Sequence, residues 1–366
     1  MAKKKVTSED VARAAGVSQA TVSMILNKKY NVSFTRETIE KVEQTARELG
    51  YHVPSQRMRK NRSAGKLIVV FCPTLTNPYY VTLLQGIEEL AKEKDYNVLV
   101  CNTQRDLKIE EQNLKLMESV RPAGIIYTCN PSKVYMKRVE ELAKQIPLVI
   151  INNRETILEI DAVALNNTKP GRLMARHLLE LGHRKVAFIS PPLTDRQQQR
   201  SKRVQGFLEE FREAGYIDGV IVRAANPDTD AVIPNVDSEY KMGYELTKEL
   251  IREHRELTAF ACMNDMIAFG VIDALTEEKF KVPSDVSVIG CDNTLFSSFR
   301  GISLTTIEHF VPLKGRDACE IVLKKIAEQK SAKPDEHPHS IYHIEYEPKL
   351  IKRKSTSYIN EKRQLK

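Results

Sequence analysis

The sequence lacks the features that mark membrane, exported and metal-bound proteins. No stretch of its 366 residues approaches the ~18 uninterrupted apolar residues that a membrane helix requires. The opening residues run directly into polar helical sequence and contain no apolar core of a secretory signal. The six cysteines form no C-x-x-C pair, so neither a zinc site nor a thioredoxin-like redox pair is indicated. We therefore expect a cytoplasmic protein whose thiols are reduced and buried.

Motifs for catalysis are missing as well. The chain contains no G-x-G-x-x-G, no G-x-x-x-x-G-K-[ST], no G-x-S-x-G and no H-E-x-x-H. Neighbouring acids such as Glu110 and Glu111 face different ways on a helix. His337, His339 and His343 lie in a polar loop, with no cysteine or helical spacing to complete a metal shell. These absences argue against an enzyme, and we expect neither a cofactor nor a metal.

The net charge of +8 lies entirely at the N-terminus. Residues 1–66 contain fourteen Lys and Arg against six Asp and Glu, whereas the remaining three hundred residues contain forty-two of each. Because neutralising phosphates releases counterions and drives binding, this segment indicates a nucleic-acid partner. A solvated basic arm is the simpler alternative, and charge alone does not decide between them.

Three short helices are predicted within this basic segment. Thr7 begins a helix that ends at Gly16, Ser18 begins a second, and Thr35 begins a third. A tight glycine-containing turn between the first two is typical of a helix-turn-helix. The sequence thus predicts an all-α DNA-binding head over residues 1–52, followed by a basic linker over residues 53–66.

Beyond residue 66 the chain alternates apolar strands with amphipathic helices, which favours an α/β fold of parallel sheets flanked by helices. The predicted strands are Leu67–Cys72, Val98–Cys101, Gly124–Tyr127, Leu148–Ile151, Val186–Ile189, Val220–Val222, Ala259–Ala261 and Val286–Ile289. Residues 67–356 exceed one such domain, so we expect two lobes and a cleft. The first lobe is placed at about 67–165 plus 298–328, the second at about 166–297 plus 329–356, and a tail at 357–366. Ligands of such folds bind at the carboxyl ends of the strands.

The chain resembles the lactose-repressor (LacI/GalR) family of bacterial regulators. The motif Asp10-Val11-Ala12-x-x-Ala15-Gly16-Val17-Ser18-x-Ala20-Thr21-Val22-Ser23 carries the resemblance in the head. Further matches fall at 46–51, 76–80, 177–187, 203–207, 264–270, 282–292 and 304–307. The resemblance implies a two-lobed body like that of periplasmic binding proteins.

A helix beginning at Ser18 offers side chains suited to DNA. Gln19 can pair with adenine through two hydrogen bonds, and Ala20 or Met24 can contact a thymine methyl. The family pattern has Arg where this chain has Met24, which suggests a site more tolerant of A·T. The linker is a weaker match, and a hinge helix and a disordered tether remain open alternatives. The expected DNA-binding residues are Thr7, Ser18, Gln19, Ala20, Thr21, Ser23, Met24, Asn27, Arg57, Met58 and Arg59.

The resemblance also implies a set of effector-binding residues in the cleft. An aromatic face can lie against a sugar ring or a base, a guanidinium offers a fork of donors, and amides and carboxylates bond hydroxyls. The implied residues are Tyr79, Tyr80, Asn152, Asn153, Arg203, Asn264, Asp265, Asp292, Asn293 and His309. Many sugar-responsive members carry an aromatic residue near the position of Gly243, whereas this chain has Ser238 there, with Tyr240 close by, so the ligand is not defined.

We therefore expect a DNA-binding transcriptional regulator, and specifically a repressor. It would bind a near-palindromic double-stranded operator as a homodimer and respond allosterically to a small molecule, with a carbohydrate as the first candidate. Control by a protein partner or by a nucleobase-type ligand is the alternative within this class. A solute-binding protein or a nucleoside-type enzyme with the same body is the rival from another class.

Overall fold

The computed structural model describes residues 6–26, 34–49, 51, 66–151, 159–193, 198–226, 238–331 and 340–359. The chain separates into two compact units, Met1–Gly65 and Lys66–Lys366. We call the first unit the head and the second unit the body. Within the described residues, no helix combines the length and apolar character needed to cross a bilayer.

The head contains the three predicted helices, α1 (Ser8–Ala15), α2 (Gln19–Leu26) and α3 (Arg36–Glu48). The capping prediction is confirmed, because Thr7 and Asp10 bond each other's backbone at the start of α1. Gly16 ends α1 in the left-handed conformation (φ +65°), which glycine adopts without strain. The apolar faces meet in a small core that contains Val11, Ala12, Ala15, Val22, Ile25, Val42 and Ala46.

The first lobe of the body is built on a six-stranded parallel sheet. Its strands are β1 (Leu67–Cys72), β2 (Asn97–Asn102), β3 (Gly124–Tyr127), β4 (Leu148–Ile151), β5 (Asp161–Leu165) and β11 (His343–Tyr346). Their order in the sheet is β11-β5-β4-β3-β1-β2. The helices of this lobe are α4 (Pro78–Glu93), α5 (Leu107–Val120), α6 (Met136–Ala143) and α11 (Val311–Ser331). The central strands are buried on both faces, as expected when helices cover a parallel sheet.

The second lobe is built on a four-stranded parallel sheet. Its strands are β6 (Val186–Ser190), β7 (Val220–Ala224), β8 (Ala259–Cys262) and β9 (Ser287–Ile289). Their order in the sheet is β7-β6-β8-β9. An antiparallel pair, β10 (Thr306–Glu308) and β12 (Lys349–Ile351), lies where the chain passes between the lobes. The helices are α7 (Thr168–Glu180), α8 (Gln198–Glu213), α9 (Ser238–Glu253) and α10 (Asp265–Glu277).

All eight predicted strands are present, but the predicted lobe boundaries need correction. His343–Tyr346 pairs in parallel with Asp161–Leu165, so this part of the 329–356 segment belongs to the first lobe. Ile344 and Tyr346 pack against the first-lobe core, which explains the placement. The end of the chain returns to the second lobe, where Ile359 N donates to Leu181 O (2.9 Å). The predicted tail therefore starts too early.

Candidate functional site

A cavity of about 350 Å³ lies between the carboxyl ends of the strands of the two lobes. This is the position that the α/β pattern predicts for a ligand. Residues that follow β1, β2, β3 and β5 line it from the first lobe, and residues that follow β6, β8 and β9 line it from the second. The volume is at the small end of the range of roughly 300–1,000 Å³ for small-molecule pockets, so it suits a compact ligand.

The first lobe supplies the aromatic surface of the cavity. Phe71 stacks on Tyr127 with ring centroids 4.4 Å apart, and Tyr79 meets Tyr80 edge to face at 4.9 Å. Asn77 positions the two tyrosines, since its Oδ1 accepts from Tyr79 N (2.8 Å) and caps the first turn of α4. Flat apolar faces of this kind bind the faces of sugar rings or bases.

The second lobe supplies Arg203, which is only 8% exposed. Its Nη1 donates to Met263 O (2.5 Å) and its Nη2 to Asn167 Oδ1 (2.7 Å), so the guanidinium is fixed in direction. Close packing of α7 on α8 places it there, because a Cβ at Gly171 would lie 2.0 Å from Arg203 O. Glycine at this position therefore permits the helix contact that brings the guanidinium to the cavity.

Four buried polar atoms of lining residues have no hydrogen-bond partner among the residues that the structure describes. They are Tyr127 Oη and Asn130 Oδ1 from the first lobe, and Gln199 Nε2 and Arg203 Nε from the second. A buried polar atom without a partner costs roughly 1–3 kcal/mol, so such atoms at a cavity wall mark where a polar ligand would be bound. The set contains both donors and acceptors.

A buried chain of titratable groups lies beneath the cavity. Lys314 Nζ is 2.8 Å from His309 Nδ1, and His309 Nε2 is 3.0 Å from Asp292 Oδ1. When Lys314 is protonated it can only donate, so in that state His309 Nδ1 accepts and Nε2–H donates to Asp292. Burial, with Arg203 nearby, lowers the pKa of Lys314 to about 7. Burial, together with Lys314 and Arg203, also holds the pKa of His309 well below its ordinary value.

Cys291, Asp292 and His309 place potential ligand atoms within 4.8 Å of one another. The charges of Arg203 and Lys314 act on the same groups and oppose a cation there. Burial also raises the pKa of Cys291, which disfavours the thiolate that a metal needs. The cluster is therefore better suited to orient Asp292 than to hold a metal.

In the head, Ser18 begins α2 by accepting from Thr21 N at 3.1 Å. Gln19 follows on an exposed surface, and its Nε2 donates to Ser8 Oγ (2.9 Å), a bond that does not use Oε1 or the second amide hydrogen. None of the described residues predicted to contact DNA is buried: Thr7, Ser18, Gln19, Ala20 and Ser23 are exposed, and Thr21 and Met24 are half-buried. The start of this helix is thus available to a partner.

Comparisons with known proteins agree across both units. Residues 65–347 match the family described as periplasmic binding proteins and the sugar binding domain of the LacI family, and residues 7–54 match the bacterial regulatory proteins of the lacI family. The chain belongs to the LacI family. It is thus a DNA-binding transcriptional regulator with the helix-turn-helix head and the periplasmic-binding-protein-like body that the sequence predicted.

Relatives within the LacI family match almost the whole chain. The HTH-type transcriptional repressor PurR of Histophilus somni strain 2336 is 31% identical, with 95% of this chain and 98% of the relative covered. The HTH-type transcriptional regulator DegA of Bacillus subtilis is 30% identical, with 97% and 99% covered. A periplasmic binding protein/LacI transcriptional regulator of Alkaliphilus metalliredigens, solved in complex with D-xylulofuranose, is 26% identical with a TM-score of 0.64. That alignment covers 80% of this chain and 99% of the other.

The structure brings together most of the effector-binding residues that the LacI resemblance implied. The predicted residues that line the cavity are Tyr79, Tyr80, Arg203, Asn264, Asp292 and His309. Asp265 does not line it, because its carboxylate is buried and accepts from Thr294, Ser297 and Thr306. Asn293 does not line it either, and bonds Glu308 and Arg353. The remaining predicted site residues, Asn27, Arg57, Met58, Arg59, Asn152 and Asn153, lie outside the described part of the chain.

Many of the residues that line the cavity were not predicted, among them Asn77, Tyr127, Asn130, Asn167, Gln199 and Glu239, nor was Lys314 beneath it. Asn77 lies within the Thr76–Tyr80 match to the family, and Glu239 lies between Ser238 and Tyr240. A local signal existed for Asn77, since an asparagine before Pro78 after a strand is a helix cap. No local signal identifies the others.

Proposed function

We propose that this LacI-family regulator is a homodimeric repressor that binds a near-palindromic operator and is controlled by a small carbohydrate in the cavity. The observation that carries the effector part is the set of four unpartnered polar atoms on both lobes, beside the aromatic surface of the first lobe. Each sugar hydroxyl both donates and accepts, so one such ligand can serve both kinds of atom and draw the lobes together. The D-xylulofuranose complex of the Alkaliphilus relative supports this choice.

The proposed DNA contacts follow from the start of α2. Gln19, Ala20, Ser23 and Met24 would meet base edges in the major groove, while Thr7, Ser18, Thr21 and Asn27 would meet phosphates. The linker residues Arg57, Met58 and Arg59 would follow the minor groove or the backbone. One such helix reads only a few base pairs, so selectivity requires two heads on two half-sites.

Exposed apolar side chains on the body support the homodimer. Leu295 is 71% exposed, and Phe296 and Phe299 form an exposed edge-to-face pair beside it. On the first lobe, Leu75 and Val81 are also exposed. A two-fold interface repeats the same patch on both subunits, so apolar patches of this kind are suited to self-association.

The head assignment is tested by comparing the full chain with a chain that begins at Lys66. Both would be incubated with fragments of genomic DNA at increasing salt concentrations, and retained DNA would be measured. We expect the shortened chain to keep its fold and to lose binding, since the excess positive charge lies in residues 1–66. Unchanged affinity and salt dependence would show that the head does not carry the DNA affinity.

The effector assignment is tested by mass spectrometry of small molecules that co-purify with the protein, followed by a melting-temperature screen. The screen would contain D-xylulose, ribose and other pentoses and hexoses, together with nucleobases as the alternative class. Stabilisation by a sugar in wild type, absent in Arg203→Ala, supports the proposal. Stabilisation by nucleobases alone would replace the carbohydrate by the alternative, and no stabilisation by either class would contradict a small-molecule effector.

A further inference from the structure

A carboxylate of the second lobe is bonded to the first lobe across the cavity. Asn77 Nδ2, at the start of α4 in the first lobe, donates to Glu239 Oε2 at 2.6 Å. Asn264 Nδ2, in the second lobe, donates to the same oxygen at 3.0 Å. All three side chains line the cavity. Other bonds between the lobes, such as Lys169 to Glu347 and Lys314 to His309, lie where the chain crosses from one lobe to the other.

The direction of both amides is fixed by helix capping. Asn77 Oδ1 accepts from Tyr79 N (2.8 Å), and Asn264 Oδ1 accepts from Ile267 N (3.0 Å). Each asparagine thus uses its acceptor at a helix start, which turns its NH₂ group towards Glu239. The amide orientation is not arbitrary, because reversing either side chain would set a donor against a backbone N–H.

Glu239 and its two amide donors each lie at the start of a helix. Glu239 lies in the first turn of α9, Asn77 caps α4 and Asn264 caps α10. The first turn of a helix carries a partial positive charge, which favours a carboxylate such as that of Glu239. The relation of α9 to α10 is rigid, since a Cβ at Gly243 would lie 2.2 Å from Ile267 O. Glu239 is therefore presented to Asn77 by a fixed support.

We propose that Glu239 is a latch that holds the two lobes together over the cavity. The charge-assisted bond to Asn77 contributes to closure of the cavity in addition to any bonds that an effector makes to both lobes. The latch belongs to the protein itself, so it goes beyond the proposed function and does not depend on which ligand the cavity takes.

The test is a distance measurement between the lobes of the full chain without effector or DNA. Probes would be attached through unnatural amino acids at exposed Lys115 in the first lobe and exposed Lys279 in the second, so the native cysteines stay intact. Asn77→Asp keeps the helix cap, because aspartate caps as well as asparagine, and sets a second carboxylate against Glu239. We expect the ratio of open to closed protein to rise on the order of tenfold.

The double variant Asn77→Asp/Glu239→Gln reverses the polarity of the bond, since the new amide can donate to the new carboxylate. It should return the distance distribution towards that of wild type. Tyr240→Phe is the control, because Tyr240 Oη donates to Asp273 within the second lobe (2.7 Å) and the change should leave the distribution as it was. Glu239→Ala, which leaves Asn77 and its cap in place, provides a second open variant if Asn77→Asp is poorly folded.

An unchanged distribution in Asn77→Asp and Glu239→Ala would overturn the latch. So would a double variant that remains as open as Asn77→Asp alone. Neither result bears on DNA binding or effector identity, so a failed latch and a failed functional proposal can be told apart.

Discussion

The head and the body of this regulator present their candidate binding residues in opposite ways. In the head, the described residues proposed to meet DNA are exposed or half-buried, and a core of other side chains holds the helices together. In the body, Tyr79, Arg203, Asn264, Asp292 and His309 are all buried, and their hydrogen bonds help to hold the lobes in place. If these residues bind as proposed, recognition and stability depend on separate residues in the head and on shared residues in the body.

This difference has a direct consequence for substitutions. A change on an exposed helix face alters binding with little effect on the free energy of unfolding. A change to a buried, hydrogen-bonded side chain removes a ligand contact and also leaves its former partners unsatisfied. The following predictions test this contrast, beginning with the largest expected effect.

Arg203→Ala should reduce both effector affinity and stability of the body. It removes a donor aimed at the cavity, and leaves Met263 O and Asn167 Oδ1 without their partner. We expect effector affinity to fall about a hundredfold and the free energy of unfolding to fall by about 1–3 kcal/mol. Titration calorimetry and chemical denaturation would measure the two quantities. Arg176→Ala is the control, because Arg176 is largely exposed and its ion pair with Glu210 should contribute no more than about 1 kcal/mol.

Met24→Arg should change operator preference without changing stability. An arginine at this point of α2 could bond guanine O6 and N7, a contact that contributes about 1–3 kcal/mol of discrimination, whereas methionine can only pack. Selection from random DNA should show a new guanine preference at one position per half-site. Met24→Leu should retain the wild-type preference. If wild type already requires guanine at that position, another side chain reads the base and the proposed placement of α2 is wrong.

Lys314→Met should flatten the dependence of stability on pH above neutrality. Lys314 is faced by Arg203, Cys291, Asp292, Glu308 and His309. Its pKa is about 7 in the folded chain and has an ordinary value of 10.5. Between these values the unfolded chain binds a proton that the folded chain does not, so stability falls as the pH is lowered from about 10 to 7 and is unaffected by this group below that.

The slope that Lys314 contributes should approach about 1 kcal/mol per pH unit, and Lys314→Met should remove it. Denaturation curves at several pH values would show this. Lys115→Met is the control, because Lys115 is on the surface beside Glu111 and should leave the slope unchanged. An identical slope in wild type and Lys314→Met would mean that the buried lysine is not near its titration point.

Local patterns in the sequence predicted the head and most of the body, but not four of the strands that the structure describes, β5, β10, β11 and β12. The first three helices follow from caps and periodicity, and eight strands follow from apolar runs. Asp161–Leu165 was missed because it begins with a carboxylate, which the structure satisfies with Tyr342 N (2.7 Å) from a distant segment. His343–Tyr346 alternates polar and apolar residues at a sheet edge, and β10 and β12 pair only with each other, from distant segments of the chain.

The cavity was predictable where a residue follows a strand and unpredictable where two distant segments meet. The family resemblance indicated Tyr79, Tyr80, Arg203 and Asp292. Tyr79 and Tyr80 lie in the first turn of the helix that follows β1, and Asp292 lies three residues after β9. Glu239 meets Asn77 across 162 positions, and no local pattern encodes that pairing. Lys314 lies in an amphipathic helix, where a lysine is normally expected in solvent. In the folded chain Lys314 is buried and its Nζ lies 2.8 Å from His309 Nδ1. The sequence gives no sign of this burial.

The most direct test of the proposed regulation is the affinity of the full chain for its own selected DNA site, with and without the small molecule that binds the cavity. Allosteric coupling of about 1–3 kcal/mol corresponds to a change of roughly 5- to 150-fold in DNA affinity. We expect a change of at least about fivefold in wild type and none in Arg203→Ala, while Arg176→Ala should respond as wild type does. Equal DNA affinity of wild type in the absence and in the presence of a saturating ligand would contradict control of the head through the cavity.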